Sequence, residues 1–193
     1  GLNAALYFSR TRLQPYLTTE YLYSDYFEYF VKQSPCLSYY TEGAYGRLLG
    51  FDTLDLSTAN VDRVMQFGRQ LYDAPKRGLR LPGDAMRTGQ RHKFEWIAQH
   101  VGVRPGTRVL EIGFGKLDLL RYLRDEAGAD VVGINLSKEH VKHARSEGFE
   151  AHAVAYGDVG TAKAQQTLGG AASFDVVITN GSLEYAANGG NKD

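Results

Sequence analysis

Thr107-Arg-Val-Leu-Glu-Ile-Gly-Phe-Gly115 and, after a helical interval, Val131-Val-Gly-Ile-Asn-Leu-Ser137 decide how this chain folds. An apolar strand runs into a glycine turn, a helix follows, and a second apolar strand ends at polar residues. That is the opening unit of a nucleotide-type α/β fold, which places ligands at the carboxyl ends of its strands. Leu117 to about Glu126 predicts the intervening helix, with Leu117, Leu120, Leu123 and Ala127 on one face. Val131 to Ile134 is a continuous apolar run, as a strand buried on both faces requires. Ser137 is placed to cap the next helix, which turns Val141 and Ala144 inward and stops near Gly148. Ala151 to Ala155 predicts a third strand ending at Tyr156-Gly157-Asp158. A helix over Ala164 to Leu168 then leads to a fourth strand, Phe174 to Thr179. Strands alternating with helices predict a parallel sheet with right-handed crossovers.

The turn chemistry narrows the ligand. A dinucleotide fingerprint needs Gly-x-Gly-x-x-Gly, and Asp118 occupies the third glycine position after Gly113 and Gly115. An acid there would oppose a pyrophosphate at a helix N-terminus. Glu111 instead stands at the strand end, just before the glycines. S-adenosylmethionine carries an ammonium, a carboxylate and a sulfonium. Its cationic part suits the strand-end acid, its carboxylate suits the helix N-terminus, and the glycines allow close backbone approach. A structural turn remains the other reading of this motif taken alone.

Four segments resemble class I methyltransferases, and more narrowly the cyclopropane-fatty-acid synthase and mycolic-acid methyltransferase group. They are Pro105-Gly-Thr-Arg-Val-Leu-Glu-Ile-Gly113, Gly133-Ile-Asn-Leu-Ser-Lys-Glu139, Phe174-Asp-Val-Val-Ile-Thr-Asn-Gly-Ser-Leu-Glu184, and Ser24-Asp-Tyr-Phe-Glu-Tyr-Phe30 followed by Leu37-Ser-Tyr39. The resemblance implies a Rossmann-like class I methyltransferase sheet with an N-terminal helical cap. The expected division is residues 1–86 as an aromatic-rich cap and linker, and 87–193 as the cofactor-binding domain. The sequence supplies the first four strands of that sheet; the family's later strands are missing from it. The implied cofactor is S-adenosylmethionine, and the implied reaction is methyl transfer to a lipid-like or small apolar acceptor. Glu111, Gly113 and Gly115 would hold the amino-acid end of the cofactor. Asn135 and Leu136 would lie against ribose and adenine, Gly157 and Asp158 would frame the adenine, and Tyr39 would close from the cap. Glu184 matches a family acid near the reacting centre, and it equally suits a first-turn helix acid.

The chain also departs from that pattern. Asn135 stands where a ribose-gripping acid is common, Tyr39-Tyr40-Thr41 lacks the family's cysteine, and Tyr185 replaces a histidine. Phe114-Gly-Lys-Leu117 replaces Cys-Gly-x-Gly. An alternative therefore stands beside the enzyme: a methyltransferase-like subunit without catalysis, built into a larger assembly. Phe114 or Lys116 filling the cofactor pocket would favour it. A fourth strand at an open edge predicts a protein partner or a continuation of the chain over that edge.

The remaining sequence sets bounds. Tyr23, Tyr26, Phe27 and Phe30 fall at helical spacing, giving an apolar face with phenolic rims that suits a helix over the sheet or the lining of an acceptor pocket. Asn60 to Tyr72 predicts an amphipathic helix with Val61, Val64, Phe67 and Leu71 on one side, and Arg87 to Val101 a second helix. Between them Ala74 to Gly83 is a basic, Pro/Gly-punctuated link, read as a solvated loop. With 22 basic and 22 acidic residues the net charge is zero, so nucleic acid is not the expected partner. Cys36 is the sole cysteine, which excludes an intramolecular disulfide and fits a reducing, intracellular compartment. No apolar run has transmembrane length. The five histidines show no metal-ligand spacing, and His140 and His143 read as part of a solvated helix face.

Overall fold

The computed structural model describes residues 44–51, 57–73, 85–170 and 172–182. They fall into two compact units, one within 41–104 and one from 105 onward. The predicted aromatic face at Tyr23 to Phe30 and the basic link lie outside the described residues.

In the first unit a 3-10 turn at Gly46–Leu49 precedes two helices, α1 (Thr58–Asp73) and α2 (Ala85–His100). Tyr45 is buried and organises this unit. Its ring meets Phe67 of α1 edge-on at 5.3 Å and lies where a side chain on Gly89 of α2 would sit. Ala44 N–H donates to Gly89 O at 2.8 Å beside it. Arg47 pairs with Glu95 at 2.6 Å, which ties the 3-10 turn to α2. Val61, predicted on the apolar face of α1, is exposed instead.

The second unit is the α/β sheet. Strands β1 (Arg108–Ile112), β2 (Asp130–Asn135), β3 (Glu150–Ala153) and β4 (Val176–Thr179) alternate with α3 (Asp118–Asp125), α4 (Lys138–Ser146) and α5 (Ala162–Thr167). All pairings are parallel and the order is β3-β2-β1-β4. The chain builds outward from β1 to β3, then returns to the other side of β1. That reversal makes β1 and β4 the topological switch point, and such sheets bind ligands at the carboxyl ends of the strands there. Among the described residues β3 and β4 are the sheet edges.

Period-2 alternation divides the strands between two faces. Leu110, Val132 and Ile134 pack with Leu168, Val154, Val159 and Phe174. On the opposite parity, Val109 and Glu111 of β1 pair in register with Val131 and Gly133 of β2. α3 contributes buried Leu119, Leu120 and Leu123. Ser137 caps α4 by accepting from His140 N–H, as its sequence position predicts. Strand and helix ends differ slightly from expectation: β3 stops at Ala153, α5 starts at Ala162, and β4 starts at Val176. Asp175, just before β4, is exposed and accepts from Arg108 N–H at 2.8 Å. No helix among the described residues is long and apolar enough to cross a membrane.

His140 corrects the sequence reading. It is 1% exposed, on the same inward stripe as Val141 and Ala144, and not on a solvated face. Burial, then repulsion from His143 and Lys116, pushes its imidazole down to about 4. The folded protein thus holds His140 neutral where the unfolded chain, near 6.5, takes up a proton. The resulting stability is complete above about pH 6.5 and falls by roughly 1.4 kcal/mol per unit as pH drops toward 4. Urea unfolding at pH 7.5 and pH 5 should therefore differ by about 2 kcal/mol from this group. His140→Gln should flatten that slope; an unchanged slope would refute the assignment.

Candidate functional site

Every described candidate residue lies at the same end of the parallel sheet. Glu111 is the penultimate residue of β1 and is 3% exposed, an acid withdrawn from water next to the glycine turn. Its register partner is Gly133. Gly113 and Gly115 follow with φ of 78° and 51°. Asn135 is the last residue of β2 and pairs with Ala153, the last of β3. Leu136, next along, is 37% exposed, an apolar surface at the strand end. Gly157 and Asp158 sit in the 3-10 turn Tyr156–Asp158 after β3, both exposed. Thr161 fixes that turn: its hydroxyl donates to Asp158 O at 2.8 Å and accepts from Ala164 N–H at the start of α5. Tyr39 and Glu184 lie outside the described residues.

Gly113 joins three strands. Its N–H donates to Ile134 O of β2 at 2.8 Å. A Cβ on it would strike the Ser182 side chain, with Oγ at 2.7 Å. Ser182 Oγ in turn donates to Ile112 O at 2.7 Å and lies 2.7 Å from Thr179 Oγ1 at the end of β4. The loops after β1 and β4 are thereby locked together at the switch point. Sequence reasoning missed Ser182, because its role rests on a contact with a strand far away in the chain. Tyr156, beside Gly157 in the turn after β3, is 42% exposed.

The rest of the turn is unlike a glycine-rich loop. Phe114 is 3% exposed. Its ring occupies the space a side chain on Gly133 would need, at 2.5 Å from that Cβ position, and Leu120 of α3 is also there at 2.8 Å. The ring therefore packs beneath the turn, between β2 and α3. Leu117 adopts φ 72°, a conformation that costs a non-glycine residue roughly 1–2 kcal/mol. Its side chain is fully buried, and burying a leucine returns about as much. That exchange explains how leucine replaces glycine at the start of α3. Burial lowers the Lys116 ammonium below the usual lysine range, with the Asp118 carboxylate pulling the other way. At the end of β2, Asn135 Oδ1 accepts from Ser137 N–H at 2.9 Å. Among the described residues no group of three or more His, Cys, Asp or Glu is placed to hold a metal ion.

These residues suit a nucleoside bearing an amino acid. They combine a buried strand-end acid, a glycine turn at Gly113 and Gly115 packed at Gly113 by Ser182, a polar amide and an apolar surface at the next strand, and an acid in the turn beyond. Residues 58–186 match the family described as mycolic acid cyclopropane synthetase. A ubiquinone biosynthesis O-methyltransferase of Bordetella avium (strain 197N) is 33% identical over 99 residues, covering 48% of this chain and 38% of that protein. The cyclopropane-fatty-acyl-phospholipid synthase of Escherichia coli (strain K12) is 35% identical over 98 residues, covering 50% of this chain and 24% of that protein. The chain thus spans well under half the length of either relative. Among solved structures, the mycolic acid cyclopropane synthase CmaA1, complexed with SAH and CTAB, is 15% identical with TM-score 0.43, over 73% of this chain and 42% of that one. The cyclopropane synthase MmaA2 of Mycobacterium tuberculosis is 20% identical with TM-score 0.37, over 40% of this chain and 30% of that one.

Proposed function

This chain belongs to the mycolic acid cyclopropane synthetase family, and from that premise we propose that it binds S-adenosylmethionine for methyl, or one-carbon, transfer to a lipid-like or small apolar acceptor. The observation that carries the reading is the convergence of Glu111, Gly113, Asn135, Leu136 and Asp158 on one end of a parallel sheet, beside its switch point. When bound, the cofactor supplies a methyl group already activated by its sulfonium, so the protein's task is alignment and exclusion of water. Glu111 faces the ammonium of the amino-acid end, and the backbone at Gly113 and Gly115 lets that end approach. Asn135 and Leu136 take the ribose and one face of the adenine. Asp158 accepts from the adenine amino group. Tyr39 and Glu184 retain the roles that the family resemblance implies, closing over the cofactor and acting near the reacting centre. On the same reading residues 1–86 form the cap and 87–193 the cofactor-binding domain.

The names of two relatives support the choice of acceptor class. A fatty-acyl phospholipid and a ubiquinone precursor are both apolar, and the aromatic N-terminal sequence suits such a molecule. A second reading, a family scaffold without turnover in a larger assembly, draws on Asn135 and on the leucine at the start of α3. Calorimetric titration of S-adenosylmethionine and S-adenosylhomocysteine separates the two. Binding in the micromolar range supports the enzyme and justifies a screen of unsaturated lipids. A folded sample that binds neither ligand rejects it in favour of the scaffold.

A further inference from the structure

We infer that Lys116 receives the carboxylate of the ligand's amino-acid end and so makes the site select a zwitterion; the inference rests on the cofactor reading above. The side chains of the turn into α3 go separate ways. Phe114 and Leu117 are buried in the core, and Gly115 has no side chain. Lys116 stands half-buried between them. Its charge is felt by Asp118 at the start of α3 and by His140 in the first turn of α4. The ammonium therefore lies between two helix starts, at the carboxyl end of the sheet. Among the described residues no hydrogen bond or ion pair holds it, although Asp118 attracts it.

A cation drawn partly out of water without a partner is unfavourable, and burial accordingly lowers this ammonium below the usual lysine range. A ligand anion would supply the missing partner and accept from its three N–H donors. The ligand of the proposed site carries one carboxylate, at the end that approaches Gly113 and Gly115. The N-terminus of α3, expected from the sequence to take that carboxylate, is a poorer host. Its first turn already holds the like charge of Asp118. Glu111, buried just before the glycines, takes the ligand's ammonium in the same reading. Glu111 and Lys116 thus set opposite charges on either side of the glycine turn, matching the two charges of an α-amino acid.

The test is calorimetry with three ligands: S-adenosylhomocysteine, its decarboxylated form, which lacks only the carboxylate, and 5′-methylthioadenosine, which lacks the amino-acid end. Thermal melts establish that each protein is folded. The wild type should bind S-adenosylhomocysteine at least about tenfold tighter than the decarboxylated form. Lys116→Met should lose that preference and bind 5′-methylthioadenosine as the wild type does. Lys116→Arg, which keeps the charge, should retain most of the preference. A Lys116→Met protein that keeps the preference overturns the inference. So does one that binds S-adenosylhomocysteine more tightly, since the side chain would then be an obstruction. Equal loss on all three ligands would mean that the lysine only supports the turn, and it overturns the inference as well. A wild type that binds S-adenosylhomocysteine without the preference overturns it with no variant at all. A wild type that binds none of the three is a different result, and it removes the cofactor reading and this inference together.

Discussion

Gly113→Arg is expected to abolish S-adenosylhomocysteine binding, a loss of more than about 100-fold, and to lower the stability of the α/β unit. Two separate costs meet at this residue. A side chain at φ 78° is strained by roughly 1–2 kcal/mol in any L-residue. Its Cβ would also enter the volume held by Ser182, which then cannot keep its 2.7 Å bonds to Ile112 O and Thr179 Oγ1. Displacing Ser182 unlocks the β4 loop from the β1 loop, at the point where the ligand's amino-acid end is proposed to lie. Gly113→Ala keeps both costs without the long arginine side chain and should cost about 2–4 kcal/mol, strain plus overpacking. Ser182→Gly removes the obstructing atoms and the two hydrogen bonds together. In the double variant the clash is gone while the strain remains, so the summed cost should fall short of the two single costs by at least about 1 kcal/mol. Strict additivity in urea unfolding would show that Ser182 is not what Gly113 must avoid.

The sheet was legible because buried parallel strands are short apolar runs, and this chain separates them with glycine and capping residues. Leu117, Leu120 and Leu123 gave α3 its inward face, and all three are fully buried. Strand ends were less legible. Val154 and Ala155 are as apolar as a strand, but Val154 N–H bonds back to His152 O and leaves the ladder. Phe174 belongs to the core while Asp175 occupies both polar groups of the Arg108 backbone before pairing begins. His140 was misread from residue type, although its spacing with Val141 and Ala144 already placed it inward. In the site, residue types gave Glu111 and Asn135, since strand-end polar groups stand out against apolar runs. The atoms that decide their behaviour were not readable. That Asn135 Oδ1 accepts from Ser137 N–H is a matter of rotamer, and that Ser182 holds Ile112 depends on a residue 70 positions away. Gly133 is similar: within Val131 to Ile134 it reads as a small strand residue, and only the tertiary packing shows that a ring fills its missing side chain.

That ring supplies the second large effect. Phe114→Ala should cost about 3–5 kcal/mol, because a buried aromatic leaves a cavity that β2 and α3 cannot close. Gly133→Val should cost about 1–3 kcal/mol or more by the opposite route, forcing a branched side chain into space that Phe114 and Leu120 occupy. Joining Phe114→Leu to Gly133→Ala moves volume from one side of the contact to the other. The pair should therefore recover part of the loss that either change causes alone. The same residue discriminates between the enzyme and the scaffold. If Phe114 blocked the ligand site, shortening it would open the pocket and tighten S-adenosylhomocysteine binding even as stability fell. With the ring under the turn, its removal loosens the backbone at Gly113 and Gly115, so affinity and melting temperature should fall together. Parallel melts and titrations of Phe114→Leu, the milder truncation, decide the matter. Tighter binding by a less stable variant would mean that the ring obstructs the site, and weaker binding that it supports the turn from below.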